Sequence, residues 1–243
     1  MGLHLAAWPA LYQRGEQMSI DFLNMESDRI EALARKYQAG AGEMYRQMKG
    51  KTARTEYGTG GECLHRGFYC PSKIFDIVVG NVGRGKVTKQ PPTLRQADFV
   101  YGFDGENRMI TVDSPDSCEL ILHQEQQECG ITLDKSGGVG AISECCFDAD
   151  RILSYCRYLL DPYTGKVIER TQEQYQYEQD QLLVHWSRFT RLTTPQLLQQ
   201  VVYHFSAEDG YLTSYTTEEF IGDRKKESVW DSHIFQVRKK RRI

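Results

Sequence analysis

Arg151–Leu160, then Asp161-Pro162-Tyr163-Thr164-Gly165, then Lys166–Tyr177 read in succession as a long strand, a tight turn and a second long strand. Pro162 presets φ at the second turn position, Asp161 can accept the backbone N–H groups of the turn, and Gly165 tolerates the positive φ that closes it. The flanks are rich in aromatic and β-branched residues, which suit a half-buried pleat. The same grammar recurs on both sides at Phe103-Asp104, Phe147-Asp148, Tyr177-Glu178-Gln179-Asp180 and Phe205-Ser206-Ala207-Glu208-Asp209-Gly210. An aromatic strand running into a turn-forming acid, repeated in this way, predicts hairpins joined into an antiparallel meander. The aromatic turn positions 103, 147, 177 and 205 are unequally spaced, which excludes a solenoid of fixed period.

Upstream the period changes. From Ser27 to Met48, Ile30, Leu33, Tyr37, Met44 and Met48 recur at helical spacing, weakened at Gly40-Ala41-Gly42. The stripe is too short and too glycine-broken for a coiled-coil seam, so it is expected to pack on the sheet. The predicted class is α+β: a mainly antiparallel β meander, forming a curved sheet or half-barrel, with an N-terminal amphipathic helix. Residues 1–50 form the helical segment and residues 51–243 the β-rich body, together one compact domain. Lys73–Val79 is expected to be a strand, Gly80–Gly85 a turn, and Asp134–Gly140 a loose connection. Thr193–Leu198 should start a short helix or wide loop, and Ser232–Val237 should be a last strand.

With 40% hydrophobic and 26% charged residues, the composition is that of a globular protein. Seven cysteines, an odd number, fit reduced thiols better than a disulfide framework. Met1–Pro9 lacks a basic n-region, residue 6 is Ala where a myristoylation pattern needs Ser or Thr, and no stretch is long and apolar enough to span a membrane. A cytoplasmic location is expected.

Charge is spread unevenly. Residues 1–98 hold 14 Lys/Arg against 10 Asp/Glu, residues 99–237 hold 11 against 23, and Arg238–Arg242 adds five cations, within a net charge of −3. An acidic body of this kind steers a basic partner toward itself. The terminal basic run is read as a charged end that discourages edge-to-edge pairing, so nucleic acid is not the expected partner.

Three motifs invite chemistry. Gly80-Asn81-Val82-Gly83-Arg84-Gly85-Lys86 fills the phosphate-loop spacing G-x-x-x-x-G-K, but Val87 stands where the hydroxyl for magnesium belongs, and Pro91-Pro92 would cut short the helix that must follow. Cys63, His65 and Cys70 could ligate a metal, yet their spacing does not fit paired zinc ligands and a fourth is missing. His185, His204 and His233 lie in strand-like runs and read as cross-strand packing residues. No catalytic residue, metal or cofactor is assigned.

Tyr101-Gly102-Phe103-Asp104-Gly105-Glu106-Asn107-Arg108-Met109 and Cys146-Phe147-Asp148-Ala149-Asp150-Arg151-Ile152-Leu153 resemble the Tyr-Asp repeat strands of bacterial Rhs-type proteins, and similar hairpins occur in β-rich toxin-immunity proteins. The resemblance covers short pieces within residues 99–215 and implies a hairpin array with a protein-neutralising role. Immunity proteins share no common motif, so it carries over no site residue. The expected function is therefore non-enzymatic binding of a basic protein, concretely a cognate toxin. The contacts would come from Asp148, Asp150, Tyr175, Tyr177, Asp180, Trp186, Tyr203, Glu208, Asp209 and Tyr215. A hydrolase or small-molecule carrier with a site in the concavity of the sheet is the alternative.

Overall fold

The computed structural model describes residues 20–74, 83–93, 96–149, 151–191, 197–221, 224–225 and 235–236. Two helices come first, α1 (Ile20–Gln38) and α2 (Ala41–Gly50). The expected helix is thus two, separated at Ala39-Gly40, where the Gly40 N–H closes a turn on Tyr37 O at 2.9 Å. Glycine's poor helix propensity accounts for the break.

The strands are β1 (Arg54–Thr59), β2 (Lys86–Thr88), β3 (Phe99–Phe103), β4 (Met109–Asp113), β5 (Ser117–Gln124) and β6 (Gln127–Asp134). They continue as β7 (Val139–Asp148), β8 (Arg151–Leu160), β9 (Val167–Tyr177), β10 (Gln181–Thr190), β11 (Leu197–Glu208) and β12 (Tyr211–Ile221). Two-residue additions follow, β13 (Arg224–Lys225) and β14 (Phe235–Gln236), both paired to β12. All join one antiparallel sheet in the order β13-β12-β11-β10-β9-β8-β7-β6-β5-β4-β3-β1-β2. From β3 to β12 each strand pairs with its successor, the predicted meander. Among the described residues the outermost strands do not pair with each other, so the sheet is open and not closed into a barrel.

The turn chemistry is that of the sequence. The Asp161 carboxylate accepts the N–H groups of Tyr163 (3.0 Å) and Thr164 (2.7 Å), and Gly165 has φ +66°. Three expectations change. Asp134–Gly140 is a short turn, in which one oxygen of Asp134 accepts Ser136 N–H (2.8 Å) and Gly138 N–H (2.9 Å). Leu197 and Leu198 begin β11, opposite Thr190 and Phe189, because Leu198 fills the core at 1% exposure. Of the strand expected at Lys73–Val79, Lys73 lies in a bend and Ile74 is helical, and the remainder falls outside the described residues.

Strand alternation gives the sheet two dissimilar faces. On one, α1 and α2 bury Ile30, Ala34, Tyr37 and Ala41 against Leu120, Ile131, Ile142, Tyr158 and Val167. Leu33, Met44 and Met48 pack at the margin, so the helical stripe is core. Ion pairs flank this cluster. Arg29 grips Glu144 with two hydrogen bonds (2.9 and 2.7 Å), and Glu31 accepts Val167 N–H (3.0 Å) and pairs with Arg191 at 2.9 Å. The other face carries an aromatic cluster around Phe99, Tyr101, Phe103 and Ile121 and a second around Tyr155, Tyr175, Val184 and Phe205. A bulge at Leu153 turns Ile152 and Tyr155 to the same side, which completes the second cluster.

Candidate functional site

Two features of this frame could meet another molecule: the row of acidic hairpin tips, and a chain segment laid across the aromatic face.

Alternate turns of an antiparallel meander fall at the same end of the sheet. The turns after β3, β5, β7, β9 and β11 therefore share one end, and they bring together Glu125, Asp148, Glu178, Asp180, Glu208 and Asp209, all exposed. Among the described residues of the last four of these turns, Arg151 is the one base. The acids thus line a rim of strand ends and do not cover a sheet face. Asp150 lies outside the described residues. The aromatics expected beside these acids are placed differently. Tyr175 and Tyr215 are core residues at 4% and 9% exposure, and the Tyr175 hydroxyl donates to Glu173. Tyr177, Trp186 and Tyr203 are half-buried at the margin of the second cluster. The Tyr177 hydroxyl donates to Ile152 O at 2.9 Å, and its ring lies under Lys73 and Arg151. Strand parity turns these rings toward the core side of the sheet.

The second feature is the connection from β1 to β2, residues 60–85, of which 60–74 and 83–85 are described. It leaves and returns through a glycine clasp. A Cβ on Gly85 (φ +80°) would lie 2.2 Å from Thr59 O and 2.8 Å from Gly60 C, contacts that no side chain tolerates. The described end of the phosphate-loop look-alike, Gly83 to Lys86, is part of this clasp. Lys86–Thr88 is a strand where a nucleotide loop requires a helix, and Arg84 donates to Phe68 O (3.2 Å), Cys70 O and Ser72 O (2.8 Å).

Over its described residues 60–73 this strap lies on the sheet with little regular structure, a 3-10 turn at Gly67–Tyr69. Its backbone groups must still be satisfied. The Tyr101 hydroxyl takes the Phe68 N–H (3.0 Å) and donates to Arg66 O (3.1 Å), while the Tyr175 hydroxyl takes the Lys73 N–H (3.0 Å). Arg66, in the left-handed region at φ 62°, sends its side chain into the sheet at 3% exposure. There it bonds Glu119 on β5 (3.0 Å), Glu128 on β6 (3.0 Å) and Ser143 on β7 (3.3 Å). The guanidinium lies over Gly130, where a Cβ would meet Glu119 Oε1 at 1.9 Å, Ser143 Oγ at 2.4 Å and Arg66 Nη2 at 2.6 Å. Glycine in this strand interior is what lets the charge approach.

His65 completes the group. Its Nε2 lies 3.0 Å from Glu119 Oε2 and its Nδ1 2.9 Å from the Tyr155 hydroxyl. Burial pulls the His65 pKa down to about 4, outweighing the attraction of Glu119. The ring is therefore neutral near pH 7, its Nε2–H donating to the carboxylate and its Nδ1 accepting from the tyrosine. Burial alone would raise Glu119, but Arg66 and His65 outweigh it and hold this carboxyl well below the usual range. Farther along, Glu173 is fully buried and accepts the Ser72 hydroxyl at 2.6 Å. Desolvation raises its pKa in spite of that bond. With both ring nitrogens committed, His65 positions the strap and has no lone pair to offer a substrate or a metal. Cys63 is exposed and Cys70 buried, and all seven thiols are free. Among the described residues no three His, Cys, Asp or Glu side chains converge on a cation site.

Beside His65 opens a cavity of about 340 Å³, lined by the strap, the β4–β5 turn, Thr132 and Arg157. Sequence reasoning passed over Arg66, Glu119 and Arg157. The one signal that pointed to them was Gly130, an isolated glycine within an otherwise well-formed strand. His185 and His204 take cross-strand places opposite Val202 and Leu183, and His204 pairs with Glu218 at 3.3 Å. His233 lies outside the described residues. No helix of the described residues is long and apolar enough to cross a membrane. In comparisons with known proteins the chain matches no family, no curated protein and no solved structure.

Proposed function

We propose that this chain is a non-enzymatic binding protein that receives a basic protein partner along its acidic rim, in its concrete form an immunity protein neutralising a toxin. The observation that carries the reading is the convergence of Glu125, Asp148, Glu178, Asp180, Glu208 and Asp209 on one end of the meander. Hairpin tips at that end recur every second strand, about 10 Å apart. Carboxylates at this pitch match cationic side chains spread over an extended surface, and they speed encounter through a field that salt screens. The β-hairpin strands that resemble those of Rhs-type and immunity proteins agree with this reading. They do not choose the partner.

The test is capture of a partner at low salt on wild-type protein and on a variant carrying Asp148→Lys, Asp180→Lys and Glu208→Lys, followed by association kinetics with whatever protein is retained. Asp209 is left intact because its φ of 51° makes it part of the turn. The reversed variant should associate about 10-fold more slowly at low salt, with a flatter salt dependence. Its melting should be nearly unchanged, since exposed charges away from structural features move stability by about 0.5 kcal/mol or less each. Equal on-rates with equal melting would remove the rim from any role in binding.

A further inference from the structure

Beyond β9 the sheet face under α1 and α2 continues into β10, β11 and β12. Cross-strand pairing leads from Cys156, beneath the helices, to Gln172 and then to Ser187 on the same side. Four residues from Ser187, by strand alternation, that side holds Leu183, which lies opposite His204, itself opposite Thr216. Here, at the rim end of these strands, opens a hollow of about 410 Å³, and none of its lining residues comes from either helix. Leu183 lines it half-buried and belongs to none of the core clusters. The lining also carries two carboxylates, Glu178 and Glu218, the Gln181 amide and the Ser206 hydroxyl, and it contains no Lys or Arg. Glu218 pairs with His204 at 3.3 Å, and even a charged His204 would leave the carboxylates in excess.

We infer that this hollow receives an arginine side chain of the basic partner. The inference rests on the reading of the rim as the landing place of a basic protein, and it adds the group that is taken up there. Glu178 belongs to both the rim and the hollow, so a chain held along the hairpin tips can place a side chain inside. A guanidinium is planar and weakly hydrated, so it can lie against Leu183 and the His204 ring while its donors reach carboxylate, amide and hydroxyl oxygens. A lysine ammonium is a compact, strongly hydrated charge and gains less from the apolar contact. An acidic side chain is rejected by the two carboxylates.

The probes are two peptides, acetyl-Gly-Arg-Gly-amide and its lysine counterpart. Each is titrated into the full chain at about 0.15 M salt, where a Debye length of about 8 Å screens the more distant rim charges. The Leu183 methyl resonances are followed by NMR. Wild-type protein should give a saturable shift with the arginine peptide in the millimolar range, and the lysine peptide should bind several-fold more weakly. The double variant Glu178→Gln with Glu218→Gln should lose affinity about tenfold, and Thr216→Lys, which sets a cation in the hollow, should abolish the shift, with melting recorded for both. The rim variant Asp148→Lys, Asp180→Lys and Glu208→Lys should still give a saturable Leu183 shift, which separates the hollow from the rim. A rim variant that associates slowly with a captured partner, beside a wild type whose Leu183 does not respond to the arginine peptide, would leave the rim reading standing and remove the hollow. The inference is also overturned if the lysine peptide binds as tightly as the arginine peptide, or if the folded double variant binds as well as wild type.

Discussion

The two faces of the sheet are sealed by different means. On one, α1 and α2 satisfy their own backbones and offer the sheet an apolar stripe, Ile30, Ala34, Tyr37 and Ala41, with ion pairs such as Arg29–Glu144 beside it and Glu31 accepting the Val167 N–H. On the other, an irregular strap must have its N–H and C=O groups taken by side chains, and Tyr101, Tyr175 and Arg84 take them. Both faces bury charge, since Arg170 beside Tyr158 on the helical side retains 1% exposure, but the ion pairs that tie each cover to the sheet differ in burial. Arg29 and Glu144 retain 27% and 12% side-chain exposure, whereas Arg66 and Glu119 retain 2% and 5%. The described strap residues lean on a buried polar network for their backbone groups, and such a network is fragile to single changes.

The sharpest way to break this contrast is to remove Arg66. Arg66→Ala would leave Glu119 buried beside a neutral histidine and should cost about 3–5 kcal/mol in denaturant unfolding. Replacing both partners, as in Arg66→Met with Glu119→Leu, should restore much of that loss, since two apolar groups leave no orphaned charge. If the single and double variants were equally unstable, packing and not charge would hold the strap.

Acid should distinguish the faces next. The folded His65 pKa of about 4 lies below the ordinary value of 6.5, so between those pH values the unfolded chain binds the extra proton. Stability contributed by neutral His65 is present above pH 6.5 and is lost as pH falls toward 4. The loss is of order 3 kcal/mol. His65→Gln should flatten that segment of the stability curve. Glu173, whose pKa is raised, works in the opposite sense and favours the folded state at lower pH. A wild-type curve that is level from pH 6.5 to 4, and identical in His65→Gln, would contradict a buried neutral ring.

A smaller effect is expected at Gly130→Ala, where one methyl must displace Glu119, Ser143 and Arg66 together. Overpacking of this kind should lower stability by about 1–3 kcal/mol. Gly140, with nothing within 4 Å of an added Cβ, is the control and should tolerate alanine. Least is expected on the helical side, where Arg29→Gln should cost about 1 kcal/mol or less in thermal unfolding, because the pair is partly solvated. A larger loss there than at Arg66 would reverse the comparison.

How far each face could be read in the sequence follows from the range of the interactions that make it. Asp161, Pro162 and Gly165 act within one turn, so the β8–β9 hairpin was legible to within a residue. The helical stripe was legible because its period is local, although it is carried by two helices and not one. Arg66 and Glu119 are 53 residues apart and meet only once strand register is set, and no local pattern encodes that. Tyr175 and Tyr215 were expected at a surface, but strand parity turns both inward, and for Tyr215 a bulge at Thr213, opposite Ser206 and Ala207, puts it on the same side as Leu212. Leu197-Leu198 looked like a helix start because Pro195 precedes it, and the long pairing with β10 overrode that preference.

The meander order also bears on how the chain reaches its native state. Neighbouring strands from β3 to β12 can zip in sequence, each closing a short loop, whereas α1 reaches Glu144 and Val167 across 115 and 136 residues and the strap reaches Glu119 across 53. Closing long loops is entropically slow, so the ladder of hairpins is expected to form the nucleus and both covers to dock late. Variants in the strap should therefore steepen the escape from the native state while leaving refolding rates nearly intact, and stopped-flow chevrons of Arg66→Ala would show the change in the unfolding arm. Strap contacts would then set how long the folded molecule lasts, and hairpin turns how quickly it forms.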